Sequence, residues 1–399
     1  MYDAIVVGAR CAGAPTAMLL ARRGWRVLLV DKASFPSDTI STHIVWPHGA
    51  AIMDRWGLLE RLAATGCPPV ALDMTFDVGP FALQGAVTHT NVGRGGFCPR
   101  RTVLDKILVD GAVESGAELR EGFTVDQLVR DDERVLGIVG HLRSGLRVEE
   151  RARVVIGADG THSSVARAVR APEYDAKPPL ETFYYAYYSG FDAHDLEQYV
   201  REFHGAACFP THGGLTLLAA VWPSERFPEI RADAERQMKA VHESIPVVAD
   251  RLARARREEK LVGTAGVANF YRKPYGPGWA LVGDAGHCKD PITAQGISDA
   301  FIDAEQLTDA LDAGFGGRRP LEEALRDHHV RRDERTRPMY EFTCELAKLE
   351  PPPEPMQQLF AALHGNQNAT NEFFSALTGE TPLAAFFNPE NVGRIVAGH

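Results

Sequence analysis

Asp3 to Gly8 is a short apolar run, Ala14 to Arg23 keeps a helix-compatible pattern until Gly24, and Trp25 to Asp31 is apolar again. That order predicts a strand, a helix that glycine can terminate, and a second strand. A right-handed crossover places the two strands parallel in one sheet. Asp54 to Ala64 and Thr102 to Glu114 read as helices, the second stopped by Ser115 and Gly116 before a strand near Leu119. Val125 to Val139 and Leu142 to Ile156 read as hairpins turning at Asp131-Asp132 and Ser144-Gly145, a meander that returns the chain to Ile156. Residues 70–96 and 176–222 are rich in β-branched and aromatic side chains, which predicts a second, antiparallel sheet. Helices are expected over Asp233 to Glu259, after Gly283 to Ala313, and over Pro320 to Lys348. The prolines between Pro351 and Pro355 then set off a helical tail.

A chain of 399 residues exceeds one typical domain of about 100–200, so two domains are expected. The 53 acidic side chains outnumber the 43 basic ones, and no dense Lys/Arg stripe exists, which argues against a nucleic-acid partner. The one basic run, Arg251 to Lys260, alternates with Ala, Leu and Glu as a solvated helix face does. The cysteines form no CxxC pair and no metal-like spacing, so neither a metal site nor a disulfide framework is expected and a cytoplasmic location fits. The chain enters a strand at once, leaving no room for a leader, and no run of about 18 apolar residues predicts a transmembrane helix.

Three separated segments carry the chemistry. Gly8-Ala9-Arg10-Cys11-Ala12-Gly13 joins the first strand to the first helix, where free N–H groups face a pyrophosphate. Asp31, with Lys32 beside it, ends the next strand at the interval expected of the carboxylate that holds a ribose hydroxyl. That carboxylate would repel a 2′-phosphate. Arg10 departs from the pattern, standing where a second glycine lets backbone approach the phosphates; its side chain either points away or supplies a positive charge. The other two segments, Val154 to Gly160 and Trp279 to His287, are apolar strands ending in an Asp beside a glycine. An acidic tip on a buried strand calls for a polar neighbour.

In this order the motifs resemble those of the para-hydroxybenzoate-hydroxylase-like flavoprotein superfamily, which includes aromatic hydroxylases, flavin-dependent halogenases and geranylgeranyl reductases. Its GxGxxG, DG and GD motifs look like Gly8 to Gly13, Asp159-Gly160 and Gly283-Asp284. The resemblance spans roughly residues 1–310. It implies an α/β fold: a Rossmann-like FAD-binding domain (1–75, 97–175 and 262–330), an interleaved antiparallel-sheet substrate domain (76–96 and 176–261) and a helical C-terminal region (331–399). Asp284 should hydrogen-bond the flavin ribityl chain, while Pro291, Gly296 and Ile297 border the isoalloxazine ring. Helix N–H groups there would stabilise the charge that appears on reduction. Arg101, in the pattern Arg101 to Asp105, resembles an arginine placed near the flavin, and Val125 a backbone contact to adenine.

The resemblance leads to a monooxygenase that forms a C4a-hydroperoxyflavin, with NADH or NADPH as transient reductant or a partner reductase in its place. An aromatic or hydrophobic small molecule and molecular oxygen would be its partners, and a homodimer is compatible with it. A dehydrogenase or double-bond reductase, and a non-catalytic escort protein, are the alternatives. Phe183, Tyr185 and Tyr187 share one face by period two and suit either a substrate wall or ordinary packing. Candidate acid or base groups are His43 and His48, in the Ser37 to Gly49 loop, with Tyr185 and Tyr187. The tryptophan motif of halogenases is matched only by Gly205 to Pro210, with Gly205 and Ala207 in place of both tryptophans, which argues against halogenation. Ala166 and Ser298 depart from the hydroxylase pattern toward the reductase branch.

Overall fold

Ala4 to Val7, Val27 to Val30 and Val154 to Ile156 are buried along their whole length, as strands covered on both faces must be. In the computed structural model, which describes residues 1–88, 95–132 and 134–398, they lie side by side. The undescribed residues fall within the expected 76–96 segment (89–94), the meander (133) and the C-terminal region (399). The sheet runs Tyr275–Gly276, Trp279–Leu281, Arg147–Gly157, Tyr2–Val7, Val27–Asp31, Glu118–Glu121. Every pairing from Trp279–Leu281 to Glu118–Glu121 is parallel.

Alternation decides what covers each face. Ala4, Val6 and Leu29 meet Met18, Leu104, Leu108 and Phe301 from the helices Gly13–Arg22, Arg101–Glu114 and Gly296–Phe315. Ile5, Val7, Leu28 and Val30 meet Phe123, Val135 and Ile138 of the meander. This is the expected α/β, Rossmann-like arrangement. It brings the C-terminal ends of Val27–Asp31, Arg147–Gly157 and Trp279–Leu281, and so Asp31, Asp159 and Asp284, to one end of the sheet, where ligands of open α/β sheets bind.

The second sheet runs Arg256–Arg257, Glu181–Ser189, Thr216–Pro223, His204–Pro210, Glu197–Arg201, Met74–Asp77, Ala82–Gly85, with Val262–Thr264 also paired to Glu181–Ser189. It is antiparallel except where Glu197–Arg201 runs parallel to Met74–Asp77. Met74, Thr75 and Val262 to Thr264, expected on the nucleotide-binding side, hydrogen-bond into this sheet instead.

Two expected helices are broken. Asp54 to Ala64 resolves into Pro47–Arg55 and Leu59–Ala63, separated by Gly57 at φ +74°. Proline opens the first of these, needing no N–H partner there. Asp233 to Glu259 resolves into Ala234–Glu243, capped by the Asp233 side chain, and Pro246–Leu252. Pro246 cannot continue the earlier helix but can begin a new one. Beyond it Arg256–Arg257 pairs with Tyr188 and Ser189 as a strand, because sheet pairing overrides local helical preference.

The helix Leu321–Leu346 packs on Gly296–Phe315. Four helices follow, Glu354–Leu363, Gln367–Leu377, Leu383–Phe386 and Pro389–Val396, and bury Phe360, Phe373 and Phe386 in one core with Phe76 and Leu83 of the second sheet.

Candidate functional site

The three motifs touch. A Cβ on Gly8, whose φ is +101°, would stand 2.4 Å from the carbonyl oxygen of Ala158, and one on Gly13 only 1.8 Å from that of Gly8. One on Gly283 would meet Ala12 at 2.7 Å. Glycine is therefore required at these positions by close approach of neighbouring chain. The first-motif turn is thereby seated between the second and third motifs.

Asp31 binds this turn to its own strand end, accepting from the backbone N–H of Ala9 and of Ala33, each at 2.7 Å. Lys32 is exposed beside it. Arg10 points away from the turn: its guanidinium reaches Asp105, the Ser37 hydroxyl at 2.9 Å and the Asp38 carbonyl at 3.1 Å. Arg101 is buried and also pairs with Asp105, at 3.0 Å. The Cys11 thiol donates to the same carboxylate at 3.4 Å. Asp105 thus ties Arg10, Cys11 and Arg101 together. In the sequence Asp105 stands out only as the end of the Arg101 to Asp105 pattern, and its i,i+4 spacing from Arg101 on one helix is the signal for its role.

Asp159 and Asp284 differ in their partners. Asp159 is satisfied by its own loop, accepting from the Ser164 N–H at 2.6 Å and the Ser164 hydroxyl at 2.7 Å. The Ser163 side chain caps the helix Ser164–Val169, and Asp159 takes the first backbone N–H of that helix across the turn at Gly160, whose φ is +76°. Asp284 is exposed, and among the described residues no hydrogen bond or ion pair is made by its carboxylate. Surrounding protein still raises its pKa by desolvation, opposed by the charges of His287, Lys289 and Arg101. Nearby, Gly296 is the exposed first residue of a 20-residue helix, and a Cβ there would have nothing within 4 Å. Ile297 behind it is buried, and Pro291 is half-buried at the start of a single 3₁₀ turn. An unpartnered carboxylate beside an open helix N-terminus fits the ribityl hydroxyls and electron-rich ring edge of a flavin. Val125 is paired with Gly140 in the meander, next to an irregularity in register.

Pro291, Ile292 and Ala294 line an apolar cavity together with Phe183, Tyr185 and Leu217 of the second sheet. Tyr187, on the same strand face, is tied instead to His43. His43 is completely buried at φ +65°, a conformation that costs a non-glycine residue about 1–3 kcal/mol. Its Nδ1 lies 2.6 Å from the Ser41 carbonyl oxygen, which can only accept, so Nδ1 carries the proton. Nε2 then accepts from the Tyr187 hydroxyl at 2.8 Å. Burial, with the charge of Arg101, lowers the His43 pKa to about 3, so the ring is neutral. Arg100 stacks over the Tyr187 ring at 3.8 Å. His48 stands apart, half-buried, with Nδ1 3.7 Å from a Glu380 oxygen of the C-terminal tail. The four candidate acid or base groups therefore form no single cluster: His43, Tyr185 and Tyr187 are neighbours, and His48 belongs to a second contact.

Residues 1–343 match the sequence pattern of a protein family described as an FAD binding domain. Digeranylgeranylglycerophospholipid reductase 2 of Methanopyrus kandleri is 28% identical over 316 residues, covering 75% of this chain and 74% of that protein. A 1H-pyrrole-2-carbonyl-[peptidyl-carrier protein] brominase of Pseudoalteromonas luteoviolacea is 24% identical over 335 residues, covering 79% and 78%. Among solved structures, a probable FAD-dependent monooxygenase of Pseudomonas aeruginosa, PqsL, superposes with a TM-score of 0.72 at 20% identity, covering 94% of this chain and 99% of that one. These similar proteins carry three different named chemistries, so likeness to them does not select the reaction.

Proposed function

The chain belongs to the FAD-binding-domain family of flavin-dependent oxidoreductases, and from that premise we propose that it is a monooxygenase of an aromatic or polycyclic small molecule. The observation that carries this reading is the apolar cavity lined by Phe183, Tyr185 and Leu217 of the second sheet together with Pro291, Ile292 and Ala294. Flat apolar molecules fit such a cavity, and it keeps water from the face where they would react.

Bound FAD supplies two-electron reduction and activation of molecular oxygen, with NADH, NADPH or a separate reductase as electron source. In this reading Gly8 to Gly13 receive the pyrophosphate, with Arg10 and Cys11 holding the turn through Asp105. Asp31, Lys32 and Val125 lie toward the adenosine, and Asp284 takes the ribityl hydroxyls. Pro291, Gly296 and Ile297 border the ring, while Asp159 shapes its own turn and Arg101 carries positive charge toward Asp284. His43, fixed by Ser41 and Tyr187, holds the Ser41–Thr42 edge of the cavity in place.

Oxygen uptake with NADH or NADPH across a panel of aromatics tests the proposal. Substrate-dependent uptake with an oxygenated product is expected. Turnover that proceeds without oxygen, given an artificial electron carrier, would reject it in favour of the second reading, a double-bond reductase, which the similarity to the Methanopyrus reductase favours. Halogenation is disfavoured because Gly205 and Ala207, where the halogenase motif has tryptophans, both line the cavity as small residues.

A further inference from the structure

Glu181 begins the strand Glu181–Ser189 and lines the same cavity beside Pro291 and Ile292. Only 2% of it is exposed, and its Oε2 is enclosed with no hydrogen-bond donor. The carboxyl group lies against that of Asp290, brought there from a distant part of the chain by the turn before Pro291. Among the described residues neither group forms an ion pair, and no basic side chain faces either.

Two carboxylates without a cation cannot both stay ionised in an apolar wall, so the pair retains a proton. Asp290 accepts the backbone N–H of Glu181 at 3.3 Å and of Ile292 at 3.1 Å, which favours the negative charge there. The proton therefore sits on Glu181 and bridges to Asp290. Burial and the facing Asp290 push the Glu181 pKa well above the usual carboxylate range, while burial raises that of Asp290 to about 6. With its O–H given to Asp290, the Glu181 carboxyl keeps one oxygen as an acceptor, on a cavity lined also by Phe183, Ala219 and Val221. A buried acceptor with no donor carries a desolvation cost that a ligand's donor can recover.

We propose that Glu181, seated on Asp290, is the specificity anchor of the cavity and takes the phenolic O–H or ring N–H of a flat, otherwise apolar substrate. This rests on the reading of the cavity as the substrate site.

Calorimetric titration of the FAD-loaded protein with 2-naphthol and with 2-methoxynaphthalene, which share a ring system but not the donor, tests both. The native protein is expected to bind 2-naphthol about tenfold or more tightly than the ether. Glu181→Leu should bring the two affinities together. Glu181→Gln, with its amide turned to Asp290 and its carbonyl to the cavity, should keep the preference. Equal binding by the native protein, or a full preference retained in Glu181→Leu, overturns the anchor while leaving the cavity as the site. Binding of neither compound overturns the cavity reading and the anchor with it. Flavin content and thermal unfolding report whether each variant folds, and the native comparison stands without them.

Discussion

Asp284 and His43 show how a side chain's surroundings decide its chemistry. Asp284 has no partner among the described residues, so removing it leaves no protein group stranded. Asp284→Ala is expected to fold normally but to retain FAD about 10- to 100-fold more weakly, the worth of one charge-assisted hydrogen bond. Flavin released on dilution measures this, and unchanged retention would refute the assignment. His43 carries its proton on Nδ1 and is expected to stay neutral well below the usual histidine range, since its pKa falls from 6.5 to about 3. A depressed pKa means that the ring's contribution to stability is complete above pH 6.5 and is lost as pH falls toward 3. Imidazole ¹⁵N shifts recorded from pH 8 to pH 5 should show one fixed tautomer, and protonation near pH 6 would contradict the burial argument. Both residues were legible as candidates, because one closes an apolar strand and the other sits in the loop expected near the flavin. Their opposite states were not, because burial and partners are properties of the folded chain.

At the scale of elements, two glycines at helix starts look alike in sequence and differ in what surrounds them. Gly13 begins the first helix with the Gly8 carbonyl so close that any side chain forces the turn apart. Gly296 begins its helix facing open space. Gly13→Ala should therefore disrupt the motif and destabilise the protein with or without cofactor. Gly296→Ala should leave the thermal midpoint of the apoprotein unchanged or slightly raised, since alanine suits a helix better, and yet lower flavin occupancy by filling the cradle. Thermal unfolding with and without added FAD separates the two, and equal flavin occupancy in Gly296→Ala and the native chain would remove Gly296 from the proposed site. The helices divided by Gly57 and Pro246 were readable in hindsight from those two residues. The pairing of Arg256–Arg257 with Tyr188 and Ser189 was not, because the partner strand lies far away in the chain.

Across the whole molecule, the C-terminal helices close the second sheet and reach the proposed flavin site. Phe373 packs against Phe76, Phe360, Phe386 and Phe387. Phe373→Ala is expected to cost about 3–5 kcal/mol by leaving a cavity in that core. Denaturant unfolding followed by tryptophan fluorescence checks it, and a change under 1 kcal/mol would show that the tail packs loosely. The same tail reaches Gln295, whose amide donates to the Thr378 carbonyl at 3.0 Å, and His48 through Glu380. The sequence by itself determined the Rossmann-like sheet and its turns: apolar periodicity, turn glycines and terminal carboxylates are local signals, and local sterics dictate them. The tertiary structure alone decided that Asp105 gathers Arg10 and Cys11, that His43 meets Tyr187, and that Glu181 meets Asp290. Those contacts join residues from different elements, and a side chain's charge and hydrogen bonds follow from neighbours that chain order does not name.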